Sequence, residues 1–212
     1  MLSRDELRSQ RPHGVTEDVH FTESLAAAVI DAYSQPGDVV LDPFAGFGTT
    51  PWVATRMGRR AVAVELLDER AAFIRQRLHG GAEIITGDAR QLGSLVGGPV
   101  DLCLTSPPYM TANGHPQNPL TGYTTADGDY HTYLAELTAV FRQVAELLRP
   151  SGHAVLNAAN LVTADAVTPL AWDIGQRVSQ YLALRQDVFL CWDEQPPGIN
   201  GDYCLVFQKA DP

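Results

Sequence analysis

Short apolar runs alternate with longer amphipathic ones along most of this chain, and that alternation constrains the fold more than any other feature. Apolar runs of four to six residues suit strands buried on both faces, whereas a 3.6-residue period suits a helix packed on one side. The pattern predicts strands at Val39–Leu41, Ala61–Glu65, Glu83–Thr86, Val100–Thr105 and Ala154–Asn157. It predicts helices at Thr50–Met57, Asp68–Leu78, Tyr130–Leu148 and Pro169–Tyr181. In the longest helix Leu134, Leu137, Phe141, Val144 and Leu148 fall on one face, and Pro150 and Gly152 stop it. Two last strands, Leu184–Trp192 and Tyr203–Gln208, flank a Pro/Gly loop and are expected to pair antiparallel. Strand–helix alternation implies an α/β, doubly wound, Rossmann-like sheet, mostly parallel with an antiparallel C-terminal strand. In such sheets a ligand lies beyond the carboxyl ends of the strands, where the strand order reverses.

The chain has 212 residues, 45% apolar and 19% charged, which suits one domain spanning 1–212. No apolar run approaches the roughly 20 residues of a membrane span. Met1–Gln10 is charged and lacks an apolar signal segment, so a cytoplasmic protein with no membrane partner is expected. Cys103, Cys191 and Cys204 are an odd, widely spaced set in apolar surroundings and read as small core residues. The six histidines show no ligand spacing, and no metal is expected. Formal net charge is −10, from 15 Lys plus Arg against 25 Asp plus Glu. A chain that grips nucleic acid unaided usually offers a basic face, because phosphate neutralisation supplies most non-specific affinity.

Chemistry concentrates at the strand ends. Asp42-Pro43-Phe44-Ala45-Gly46-Phe47-Gly48-Thr49-Thr50 follows the first strand and opens a helix. Glycines there permit a tight turn and close approach to a ligand, and the helix offers unpaired N–H groups. An acid at that strand end disfavours phosphate and suits an ammonium or hydroxyl. A ligand carrying both carboxylate and ammonium, such as the methionine half of S-adenosylmethionine, satisfies both conditions. Glu65 ends the second strand and could accept from two ribose hydroxyls, while Asp88 follows the third and could meet an adenine amine. Ser106-Pro107-Pro108-Tyr109 follows the fourth. Its second proline removes an N–H, so the Pro107 carbonyl is free to face a substrate. That carbonyl and the Ser106 hydroxyl could accept from an –NH₂ group while Tyr109 stacks on a planar ring. Two acceptors localise a nitrogen lone pair that is otherwise delocalised into the ring.

These motifs resemble the amino-methyltransferase family, which methylates exocyclic amines of cytosine and adenine in DNA. Asp42–Thr50 resembles the family's Asp-Pro-Phe-x-Gly-x-Gly-Thr cofactor motif. Ser106–Tyr109 resembles its Ser/Asn/Asp-Pro-Pro-Tyr catalytic motif, in the Ser form frequent among cytosine-amine enzymes. His20-Phe21-Thr22-Glu23-Ser24-Leu25 resembles the segment that closes over the methionine end, and the resemblance extends over Val19 to Asn160. It implies a SAM-methyltransferase fold and S-adenosyl-L-methionine as cofactor. It implies that Phe21, Thr22, Asp42, Phe44, Gly46, Gly48 and Thr49 hold the methionine part and Glu65 the ribose, with Asp88 near the adenine. Ser106, Pro107 and Tyr109 would hold the target amine and its ring.

The family's sequence-specific enzymes carry a sizeable target-recognition region. Here two irregular segments alone, Met110–Asp129 and Asp193–Asp202, have any length to offer, and no separate recognition domain is expected. They are expected to form a lid over Tyr109, with Asn113, His115, Asn118, Tyr123 and Asn200 lining a small pocket. The leading reading is an N-methyltransferase of a nucleobase amine, DNA cytosine first. The same chemistry on RNA or on a small amine-bearing metabolite is an alternative, as is a non-catalytic binding subunit. The acidic balance implies an unpaired or small substrate unless a homodimer or another partner supplies contacts to a duplex.

Overall fold

A computed structural model describes residues 1–12, 21–78 and 81–211. In chain order the helices are α1 (Arg4–Ser9), α2 (Glu23–Tyr33), α3 (Thr49–Arg56), α4 (Asp68–Leu78), α5 (Leu92–Leu95), α6 (Tyr130–Leu147) and α7 (Leu170–Val178). The strands are β1 (Val39–Asp42), β2 (Arg60–Glu65), β3 (Glu83–Thr86), β4 (Val100–Thr105), β5 (Leu148–Val162), β6 (Val167–Thr168), β7 (Ala183–Leu190) and β8 (Ile199–Gln208).

All eight strands join one sheet in the order β3-β2-β1-β4-β5-β8-β7, with β6 on β5. β1 pairs in parallel with both β2 and β4, so the order reverses beside β1. β8 runs antiparallel to β5 and β7, as the final hairpin requires. All four residues of β1 are buried, consistent with a central strand covered on both faces. One cover comprises α2, α3 and α4, with Ile30, Val53 and Ile74 buried against Ala61 and Ala63 of β2. The other comprises α5, α6 and α7, with Leu137, Phe141 and Ile174 buried against β4 and β5. At about 25 cal/mol per Å² of apolar area removed from water, these faces supply the main drive to fold.

Asp129 starts α6 by accepting backbone N–H bonds from His131 and Thr132, meeting two donors the first turn leaves open. α6 ends at Leu147 and β5 begins at the next residue, so Pro150 and Gly152 lie within a strand rather than beyond a helix. β5 is far longer than Ala154–Asn157. β8 also starts earlier, at Ile199, because its first residues complete the ladder to β5. Cys103 and Cys204 are buried, whereas Cys191 is exposed just beyond β7. Edge strand β7 is exposed almost throughout, Leu184, Val188 and Phe189 included. Among the described residues, no helix is long and apolar enough to cross a membrane.

Candidate active site

The carboxyl ends of β1 to β5 open into a cavity of about 670 Å³, within the range of small-molecule sites. Its β1–β3 end is organised by the loop 43–48. Glu65, at the end of β2, accepts from Gly46 N–H through Oε2 at 2.8 Å and from Leu67 N–H through Oε1 at 2.9 Å. Burial pushes the Glu65 carboxyl up, and those two N–H groups oppose the push. A carboxylate has about four lone-pair sites. Two are used by the backbone, and the residue lines the cavity, so acceptor capacity remains for a ligand's hydroxyls.

Gly48 has φ 84° and caps α3, and a Cβ there would come within 2.9 Å of Ile74. That glycine is required by its left-handed backbone and by the packing of α4, not by approach to the cavity. Asp42 is buried behind the loop. Its Oδ1 accepts from Thr105 Oγ1 at 2.6 Å and Phe44 N–H at 3.1 Å, tying the ends of β1 and β4 together. Burial pushes its carboxyl up to about 6, against the lowering influence of the Thr105 and Thr50 hydroxyls.

Asp88 lines the cavity but is held by Arg90, whose Nε and Nη2 donate to its carboxylate. Burial pushes Asp88 up, yet the Arg90 bonds outweigh it and the net shift is down. Arg90 also donates to Glu136 of α6 at 2.8 Å, and Glu136 accepts from Asn118 Nδ2 at 2.6 Å. A chain of charge-assisted bonds thus runs from the end of β3 to the loop after β4.

At the other end lies the turn 106–109. Tyr133 of α6 donates its hydroxyl to the Pro108 carbonyl at 2.8 Å, which fixes the turn. The Ser106 hydroxyl lies on the same cavity wall as Tyr109 and lowers the pKa of its hydroxyl. Burial, reinforced by the charge of Asp202, raises the Tyr109 hydroxyl pKa well above its ordinary value, so it stays protonated. Both irregular segments contribute wall: Thr111, Leu120 and Tyr123 from one, Pro196, Pro197 and Gly198 from the other. Leu2 and Leu7 of the N-terminal segment line the cavity too, held because Leu2 pairs with Trp192.

Of the residues expected at the site, Phe21, Phe44, Gly46, Glu65, Asp88, Ser106, Pro107 and Tyr109 share this cavity wall. Thr22, Asp42, Gly48 and Thr49 stand outside it. Thr22 is fully buried and caps α2 through Leu25 N–H, and Asp42 serves the strand ends. Of the five loop residues expected to line a pocket, Tyr123 alone reaches the wall; Asn118 faces Glu136, and Asn113, His115 and Asn200 do not line it. Val19 and His20 lie outside the described residues. Sequence reasoning passed over Arg90, Glu136, Asn157 and Asp202. The one available signal was polarity inside apolar runs, Asn157 within β5 and Asp202 beside Gly201.

The acceptor at Glu65 and the apolar Phe44 beside it fit S-adenosylmethionine, and Ser106, Pro107 and Tyr109 line the same cavity. Comparison with known proteins agrees. Residues 5–76 match a family model described as DNA methylase. The chain is 41% identical over 61 residues to Type II methyltransferase M2.DpnII of Streptococcus pneumoniae, covering 29% of this chain and 23% of that protein. It is 37% identical over 78 residues to DNA adenine methyltransferase YhdJ of Escherichia coli (strain K12), covering 34% and 26%. The matched stretch is thus about a quarter of the length of these relatives. The N-methyltransferase NodS from Bradyrhizobium japonicum WM9 shares the fold over 89% of this chain and 94% of its own, at TM-score 0.61 and 12% identity. Over residues 5–76 the chain is thus similar to DNA methylases, and its sheet is that of S-adenosylmethionine-dependent methyltransferases, with S-adenosylmethionine as the cofactor.

Proposed function

We propose that this protein transfers a methyl group from S-adenosylmethionine to the exocyclic amine of a nucleobase, with unpaired cytosine in DNA as the first substrate. One observation carries the reading: Glu65 at the end of β2, its glycine loop after β1, and Ser106 with Tyr109 after β4 open into the same cavity from three consecutive strands of the sheet. One sheet supplies both halves, which supports reading 1–212 as a single methyltransferase domain. Ser106 in the first motif position supports cytosine, and the similarity to an adenine methyltransferase of E. coli makes adenine the second base to test.

The cofactor supplies an electrophilic methyl carbon on a sulfonium. Glu65 holds the hydroxyls of the cofactor's sugar, and Phe44 and Gly46 shape the slot beside them. Ser106 Oγ and the Pro107 carbonyl accept the two amine hydrogens. As the nitrogen becomes tetrahedral those bonds strengthen, so they favour the transition state over the ground state. Tyr109 stacks on the ring and fixes its plane, and the walls from residues 110–129 and 193–198 exclude water. In-line displacement needs this positioning more than a strong base.

The test is transfer of labelled methyl to single-stranded DNA, duplex DNA, RNA, free nucleosides and amine metabolites. Preferential labelling of single-stranded DNA supports the reading. Labelling of RNA or a metabolite alone would move the substrate class, and no transfer to any amine would overturn the activity.

A further inference from the structure

The amine site contains a carboxylate that neither motif supplies. Asp202 lies near the start of β8, is 5% exposed, and lines the same cavity as Ser106 and Tyr109. The three acids of that wall are held differently. Glu65 is bonded by two backbone N–H groups, and Asp88 is bonded by Arg90. Asp202 has no cationic partner among the described residues: Trp192 Nε1 donates to its Oδ2 at 2.5 Å. Asn157 of β5 lies against it and lowers its pKa, while burial raises it further than these neighbours lower it. Asn157 is itself 4% exposed and lines the cavity, and its side chain lies beside Asp202 with Nδ2 in no well-formed hydrogen bond. A buried unsatisfied donor costs about 1–3 kcal/mol. A buried carboxylate without a cation costs several. Two such groups together in one wall of an active-site cavity call for a function.

The position supplies one. β5 and β8 pair so that Ala159 lies opposite Asp202 and Asn157 opposite Cys204, which puts Asn157 and Asp202 two residues apart diagonally on one face. The negative charge of Asp202 reaches Tyr109, where it is the second-largest influence on the hydroxyl after burial. Ser106 and the Pro107 carbonyl are both neutral. They can accept hydrogen bonds, but they bring no net charge to meet the positive charge that grows on nitrogen.

We propose that Asp202 is a further catalytic residue of the amine site, stabilising the cationic nitrogen and taking the proton it must lose. This rests on the amine-methylation reading above. The amine nitrogen forms its new bond to the methyl carbon while the electron pair of the broken C–S bond leaves with sulfur. Nitrogen then carries one proton too many and a positive charge. That proton passes to a carboxylate oxygen of Asp202 and from there to solvent on product release. Trp192 holds the carboxylate towards the cavity, and Asn157 provides a donor at its flank.

The experiment compares wild type, Asp202→Asn and Asp202→Glu on the base that wild type methylates, with cofactor affinity measured by calorimetry. Asp202→Asn keeps an oxygen for Trp192 and removes the charge. It is expected to lower kcat at least tenfold, with KM and cofactor affinity changed less than threefold. Asp202→Glu keeps the charge and is expected to retain more activity than Asp202→Asn. Equal losses in the two variants would assign a structural role and overturn the proposal, as would wild-type kcat in Asp202→Asn. If wild type methylates no nucleobase, the functional reading and this inference fall together. An active wild type with an indifferent Asp202 would sink this inference alone.

Discussion

Glu65 and Gly46 are joined by a 2.8 Å hydrogen bond from the glycine N–H to the carboxylate, so the acid ending β2 fixes the loop that leaves β1. One carboxylate shapes that loop and lines the cavity; in the proposed function it also holds the cofactor. Glu65→Ala should therefore weaken S-adenosylmethionine binding more than tenfold, about 1.4 kcal/mol. Calorimetry giving an unchanged dissociation constant would remove Glu65 from the cofactor site.

Asp42 should make stability depend on pH. Its folded pKa of about 6 lies above the ordinary 3.8, so between those values the folded state holds more protons than the unfolded state. Stability must then fall as pH rises from about 4 to about 6 and level off above, a loss of order 3 kcal/mol. Asp42→Asn keeps an acceptor for Thr105 and Phe44 and removes the ionisation. Denaturant melts should show this variant more stable than wild type at pH 7.5, with the gap closing towards pH 4. A gap independent of pH would contradict the assignment.

Arg90 couples the end of β3 to the segment after β4, through Asp88 on one side and Glu136 with Asn118 on the other. Arg90→Ala should loosen that segment without unfolding the sheet. Hydrogen exchange should rise at least tenfold across residues 118–124 while β1 and β4 keep their protection. Unchanged exchange there would show that packing of Leu120, not the charged chain, holds the wall.

The net charge of −10 bears on admission of the substrate. Flipping a paired base costs a few kcal/mol, offset in duplex enzymes by contacts along the backbone. The isolated chain should bind a short duplex weakly and with a shallow salt dependence. A log–log slope implying six or more phosphate contacts would restore an autonomous duplex enzyme.

The central sheet was legible because its signals are local. Asp68–Leu78, Glu83–Thr86 and Val100–Thr105 match the structure residue for residue, since period and punctuation decide such elements. The motif at 106–109 was legible for the same reason. What escaped depends on partners distant in sequence. The pairing of Leu2 with Trp192 leaves no periodic trace, and only the sheet brings Asn157 and Asp202 together. The bond of Asp42 to Thr105, sixty-three residues away, could not be read from the sequence either. Leu184, Val188 and Phe189 lie exposed because β7 is the sheet's edge, a fact set by strand order rather than by composition.

The most direct measurement is the position of the transferred methyl. Single-stranded DNA incubated with the protein and labelled cofactor would be digested to nucleosides and analysed by mass spectrometry, alongside Ser106→Ala and Tyr109→Ala. The site geometry predicts a methyl on the exocyclic nitrogen of cytosine or adenine. It also predicts at least a tenfold loss of turnover in Ser106→Ala at unchanged cofactor affinity, and a loss in Tyr109→Ala worth about 1–3 kcal/mol of stacking. A methyl on ring carbon, or full turnover in both variants, would contradict amine methylation at this site.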